Sequence, residues 1–354
     1  MMPRERAVFF HVALLILSAG LLVVGGLLLW LWDFLGEYEK SNPKEMVNHV
    51  LSACREGNYK QAMELGGILE DGFFDAGQYA LFMQDQLGEG FEDVRIYESG
   101  LNESGERVME LRSSDPERSG RMVRFFLEEY QGNLRYGLPS YHLYQEPIST
   151  EEWSVAFPAE ETLLVNGKRL SGKEKTSREP VAYFAGLDQS LVPSRQTVSF
   201  QGLVHQPELT LEGLEPSRYK IHWEGRKAMV SLFPDTALSP ALEKQASEIT
   251  RLYARFAFRD ASLGEFQKQL LPETPFAQAI RTYSSEWVYD HDRYEIQDFK
   301  LERLEQFSSI GLVAEVSFRY HTWAGRWERD YPVHYRIVLI RSGERWLAAN
   351  IEVI

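Results

Sequence analysis

The sequence predicts an α+β protein with an N-terminal transmembrane helix, then two α+β domains flanking a small all-β sandwich. Three observations predict it. Residues 7–32 form one uncharged apolar run. Residues 42–148 and 238–354 each begin with apolar residues at helical spacing and end in period-two alternation. Residues 151–235 carry short strand-like runs broken by Gly and Pro, with no helical period.

The apolar run comes first. His11 and Ser18 are its only clearly polar side chains. A bilayer core needs about 20 apolar residues in a helix, the form that satisfies its own backbone in lipid. Trp30 and Trp32 close the run, where amphipathic rings favour the membrane–water interface. A cleaved signal peptide has a shorter apolar core, about 7–15 residues, before a small-residue site. Ser18-Ala19-Gly20 is small enough, but cutting there would leave an apolar stub, and no cysteine follows for lipid attachment. An uncleaved anchor over residues 8–32 is therefore expected. Arg4, Arg6 and the terminal amine precede it, whereas Asp33, Glu37 and Glu39 follow, opposed by Lys40. The positive-inside rule places residues 1–7 in the cytoplasm and exports the rest, with 33–41 as a linker.

The chain has 354 residues and a formal net charge of −14. Residues 1–32 carry only Arg4, Glu5 and Arg6, so the acid excess lies beyond the anchor. That disfavours nucleic acid and acidic headgroups as partners. Aromatic residues make up 13%, which argues for packed cores over a disordered stalk. Cys54 is the single cysteine, so no intramolecular disulfide forms. Exported domains without disulfides must fold on apolar burial alone, a pattern that suits a bacterial, Gram-positive surface. Asn102-Glu103-Ser104 matches a glycosylation sequon, as chance allows in this length.

In the first domain, Asn42-Pro43-Lys44-Glu45 has the form of a helix start. Met46, Val47, Val50, Leu51 and Cys54 then share one face, which makes Cys54 a core residue. A second helix over 59–65 ends at Gly66-Gly67, and a third covers 78–87. Strands follow around 94–96, 108–111, 122–130 and 134–144, with turns at Glu103-Ser104-Gly105 and Gln131-Gly132-Asn133. In the middle domain, Asn166-Gly167 between apolar runs signals a type I′ hairpin. Residues 173–179 read as a charged loop, and 197–204, 208–211, 219–223 and 228–233 as strands.

The last domain repeats the order of the first. Ser239-Pro240 starts a helix with Leu242, Ala246, Ile249, Tyr253 and Phe256 on one face. Ser262-Leu263-Gly264-Glu265 is a capping box, and Thr274-Pro275 starts a third helix with Phe276, Ile280 and Tyr283 inward. Tyr294, Ile296, Phe299 and Leu301 fit a strand with a slip in register, a bulge. Leu312 to Tyr320 and Val333 to Leu339 alternate cleanly, with turns at Ala324-Gly325 and Ser342-Gly343.

Three helices followed by an antiparallel meander, found twice, resembles the NTF2-like (cystatin-like cone) fold. The string EGNYKQAMELGG, at 56–67, is similar to the first helix–helix turn of exported bacterial members. VAFPAEETLLVNGKRL resembles small β modules of Gram-positive envelope proteins of the TcaA type, in which one anchor carries β and NTF2-like modules outward. No cysteine-rich zinc ribbon precedes the anchor here. The resemblance implies a single-pass, extracytoplasmic protein of the cell envelope.

Motifs for chemistry are sparse. Ser41-x-x-Lys44 and Ser217-x-x-Lys220 match S-x-x-K, but neither S-D-N nor K-T-G accompanies them. Asp290-His291-Asp292 falls short of a zinc site, which needs three or four converging ligands. His321 falls on the outward parity of its strand. The inward parity is apolar, so a packed core is expected there, with at most an aromatic pocket formed by Tyr253, Trp287, Phe318, Tyr320 and Tyr335. The expected function is non-enzymatic: binding or scaffolding at the envelope, with no cofactor. Its expected partners are the lipid bilayer, through the helix, and an envelope protein or cell-wall component. The alternative is a small-molecule-binding or enzymatic domain with its site in the C-terminal cone.

Overall fold

The structure is a computed structural model that describes residues 3–130, 135–282 and 292–354, with side chains from residue 14 onward. These fall into two compact units: Met1–Glu151 with Gln201–Val204, and Glu152–Phe200 with His205–Ile354.

The first unit opens with α1 (Pro3–Ser41), whose apolar stretch from Leu14 onward is unburied by the rest of the fold. Residues 33–41, expected as a linker, instead continue this helix. No proline interrupts them before Pro43, and Lys40 pairs with Glu37 one turn back at 2.8 Å. At α2 (Pro43–Arg55) the Asn42 side chain accepts the Lys44 N–H and Pro43 needs no partner. Asn58 and Asp75 cap α3 (Tyr59–Leu65) and α4 (Ala76–Leu87) in the same way. Four strands follow as an antiparallel meander in chain order: β1 (Val94–Leu101), β2 (Arg107–Ser113), β3 (Met122–Tyr130) and β4 (Ser140–Gln145).

Sequence alternation starts the last strand at 134, but β4 starts at Ser140. A 3-10 turn, Arg135–Gly137, holds Tyr136 at φ 70° and Gly137 at φ 72°, two successive left-handed residues that regular strand pairing does not contain. The turn expected at 131–133 lies outside the described residues. Val47, Val50, Leu51 and Cys54 of α2, with Met63, Tyr79 and Met83, pack onto Leu111, Val123, Phe125 and Leu127 of the sheet. Burial pushes the Cys54 thiol up to about 12. A thiol so buried and protonated is unreactive, so a maleimide is expected to leave the native chain unmodified and to react in denaturant.

Residues 151–235 carry β5 (Glu151–Pro158), β6 (Leu163–Val165), β7 (Lys168–Arg169), β8 (Lys175–Pro180), β9 (Ser194–Leu203), β10 (Leu209–Leu211), β11 (Tyr219–Glu224) and β12 (Lys227–Leu232). Asn166 and Gly167 take φ 50° and 74°, the type I′ geometry that joins β6 to β7. The charged loop expected at 173–179 is largely strand β8. It pairs with β9 from Lys175–Ser199 to Pro180–Ser194 while every side chain stays exposed. Its register is set by backbone bonds alone, so no apolar alternation announces it.

Helices α5 (Ser239–Ala257), α6 (Leu263–Gln267) and α7 (Pro275–Ala279) follow, then β13 (Arg293–Gln306), β14 (Gly311–Ala324), β15 (Trp327–Ser342) and β16 (Arg345–Val353). Ser262 and Glu265 form the reciprocal capping box, and Thr274 caps α7. The register slips between Gln297 and Lys300, with Asp298 at φ 55°. These strands extend a sheet of order β16-β15-β14-β13-β12-β5-β9-β8, with β11 on β12. The joint is a single pairing, Leu232 with Gln306, and β12 runs parallel to β5. Strands from residues 151–235 and from 238–354 thus share one sheet.

Helices α5–α7 cover one face of the C-terminal strands. On the opposite face, Val181, Phe184 and Phe307 cover Val313, Val338, Ile340 and Ala349. Gly311 makes that approach possible, because a Cβ there would lie 2.8 Å from Pro193 Cγ and 3.1 Å from Phe184 Cε1.

Candidate functional site

The alternation of β14 sends Leu312, Ala314, Val316, Phe318 and Tyr320 to the helix side, and Tyr335 of β15 pairs with Val316. Of the five residues expected to form a pocket, four come together. Tyr253 on α5 meets Tyr335 at 5.4 Å between ring centroids, and Phe318 meets Tyr335 at 5.5 Å and Tyr320 at 4.9 Å. Trp287 lies outside the described residues. Sequence reasoning left out Phe258 and Tyr294, which stack at 4.1 Å with Phe258 4.6 Å from Tyr320. Phe266 was missed too, though it stacks on Tyr253 at 5.3 Å and on Phe256 at 5.4 Å. The parity of Phe299, stacked on Phe318 at 6.0 Å, could have placed it, but the bulge at Asp298 shifts that parity.

Tyr320 is 1% exposed, and its hydroxyl lies beside that of Tyr335. Burial, then the neighbouring Tyr335, push its phenol far above the ordinary value. Tyr294 is also raised, by burial and by the Asp260 carboxylate that accepts its hydroxyl.

General acid–base work needs an ionisable group in such a place. Among the described residues the buried carboxylates are Glu110 and Glu305, and neither lies in the aromatic cluster. Glu305 pairs in register with Val313, a residue of the opposite face, and its carboxylate meets Arg303 and Arg195. Nearby, Glu315 bridges Arg303 at 3.5 Å and Arg336 at 3.0 Å. These are structural ion pairs on a sheet.

Glu110 belongs to the first unit and is ion-paired with Arg112 and Arg124. Burial opposes its charge, but the Ser99 hydroxyl and the two guanidiniums hold its carboxyl below the ordinary value of 4.5. A folded-state pKa below the unfolded one adds stability above the ordinary value and loses it as pH falls through the folded value. The stability advantage of the native chain over Glu110→Gln is therefore expected to shrink on going from about pH 7 to about pH 3.5, as read from urea midpoints.

No group of three or more His, Cys, Asp or Glu that could hold a metal occurs among the described residues. Asp290 and His291 lie outside them, and Asp292 accepts the Gly325 N–H at 2.7 Å. Ser41 donates to the Tyr38 carbonyl at 2.8 Å at the end of α1, and Ser217 sits in a 3-10 turn before β11. His321 contacts Asp330 at 2.6 Å on the outward face.

A second constellation, unforeseen from the sequence, lies where α1 leaves its apolar run. Asp33 accepts hydrogen bonds from Arg135 at 2.8 Å and from the Tyr136 hydroxyl at 2.6 Å. The Tyr136 ring stands edge-on to Trp30 at 6.1 Å and to Phe34 at 5.5 Å.

No family model matches the chain, and no curated protein sequence matches it. Among solved structures, an NTF2-like protein involved in plasmid conjugation covers 86% of this chain and 93% of its own length. It is 7% identical, with a TM-score of 0.26.

Proposed function

We propose that this chain is a single-pass membrane protein of the bacterial cell envelope, Gram-positive in type, that binds or scaffolds a partner without catalysis. Its N-terminus lies in the cytoplasm and its folded units lie outside. The observation that carries this reading is α1: its apolar stretch is long enough to cross a bilayer, and from Leu14 onward the rest of the fold does not bury it. In each end segment, helices pack on one face of an antiparallel sheet, and we assign both to the NTF2-like kind with a β module between them. The paired carboxylates and the aromatic interior of the C-terminal segment support a non-enzymatic role, since neither offers a free base.

The aromatic cluster favours a second reading, in which it takes a small apolar molecule. Two measurements on the full chain separate the readings. A photo-crosslinking residue at Trp327, 76% exposed, is expected to give a discrete protein adduct in intact cells. A small-molecule thermal-shift screen is expected to give no stabilisation. A ligand shift that Tyr320→Phe abolishes, with no adduct from exposed positions, would replace the scaffold by the ligand-binding reading.

A further inference from the structure

We infer that one end of the four-stranded sheet of the first unit rests on the bilayer that α1 spans, inserting side chains at the level of neutral headgroups. The inference builds on the membrane-anchor reading. Its first support is the height of the 3-10 turn that precedes β4. Tyr136 touches Trp30 and Phe34, and Asp33 ties both Tyr136 and Arg135 to the same turn of α1. Trp30 and Trp32 end the apolar run, so the turn sits at the membrane–water boundary. Tyr136 is held at φ 70°, a conformation that a bulky residue adopts only when its surroundings impose it.

The second support is register. Leu101 pairs with Arg107, Arg107 with Leu127, and Tyr130 with Ser140. The close of β1, the close of β3 and the opening of β4 therefore lie at one end of the sheet, the end that carries Tyr136. Large apolar side chains stand in solvent there: Leu101 at 67%, Tyr130 at 70% and Tyr136 at 41% exposed. On α1, Trp30, Trp32 and Leu35 are exposed as well. Exposed aromatic and apolar side chains beside a spanning helix match the interfacial belt of membrane proteins.

Charge selects the lipid. Glu98, Glu103, Glu106, Glu128 and Glu129 outnumber Arg107 and Arg135 along these strand ends, so an anionic surface would repel them. The contact is apolar and aromatic, and it suits neutral, zwitterionic headgroups.

Spin labelling of the full chain in phosphatidylcholine vesicles tests this. Cys54 is buried, so a label enters only an introduced thiol. Labels are placed separately at Leu101→Cys, Leu22→Cys and Glu117→Cys, the last near the opposite end of the sheet. Collisions with oxygen and with a water-soluble nickel complex report depth. The expected result is a bilayer-core signal at position 22, an interfacial signal at 101, with oxygen exceeding nickel, and an aqueous signal at 117. An aqueous signal at 101 with a core signal at 22 overturns the inference and leaves the anchor standing. An aqueous signal at 22 removes the anchor itself. Tyr136→Ser is the second variant: loss of its ring contacts and its tie to Asp33 is expected to lower the oxygen-to-nickel ratio at 101, and an unchanged ratio counts against the turn as the device that sets the height.

Discussion

Arginine at both Leu22 and Val23 is expected to release the chain from the membrane. Each arginine at a helix centre costs about 2.5–3.5 kcal/mol of insertion free energy, and each residue removed contributes about 0.3–0.6 kcal/mol in favour. The pair therefore shifts insertion by roughly 6 kcal/mol or more, enough to reverse it. Leu22 is 78% and Val23 63% exposed, so neither substitution touches a folded core. Alkaline extraction of membranes reads the outcome. The native chain stays in the pellet and the double variant leaves it. A double variant that stays would mean that α1 is not what holds the protein to the membrane.

The second large effect concerns the C-terminal core. Phe266 is fully buried, and its ring touches those of Tyr253, Phe256 and Phe276. Phe266→Ala is expected to cost about 3–5 kcal/mol, the transfer of the ring plus the void it leaves. For a unit of this size that lowers the thermal midpoint by roughly 10 °C, followed by circular dichroism. Phe266→Leu keeps most of the volume and is expected to cost distinctly less. An alanine variant as stable as the native chain would show that the helices are not seated on β14–β16 through this ring.

Local chemistry made much of this fold legible. Asn42-Pro43, Ser262-x-x-Glu265 and Thr274-Pro275 each place a side-chain acceptor ahead of orphan N–H groups, and each starts a helix in the structure. Asn166-Gly167 tolerates positive φ at two successive residues and closes a hairpin. What stayed hidden depends on distant partners. β8 is exposed along its length, so only its pairing with β9 makes it a strand. The Leu232–Gln306 joint links residues 74 positions apart, and no local pattern encodes it. Val313 and Val338 sit on the parity that alternation assigns to solvent, yet Val181 and Phe184 cover them.

The aromatic cluster was half legible. Strand parity found Phe318, Tyr320 and Tyr335, whereas Phe258 lies just past the end of α5, where helical periodicity stops. The tie from Asp33 to Arg135 and Tyr136 spans about a hundred residues and rests on a strained backbone, neither of which sequence spacing reveals.

The most direct test of the anchored, outward-facing arrangement uses the lone buried cysteine. Glu344→Cys introduces an accessible thiol in the β15–β16 turn, and Arg4→Cys introduces one ahead of the apolar run. Intact cells are treated with a membrane-impermeant maleimide, then again after permeabilisation. Labelling of position 344 in intact cells, with position 4 reacting only after permeabilisation, is the predicted result. The reverse pattern, or both positions labelled only after permeabilisation, would contradict it.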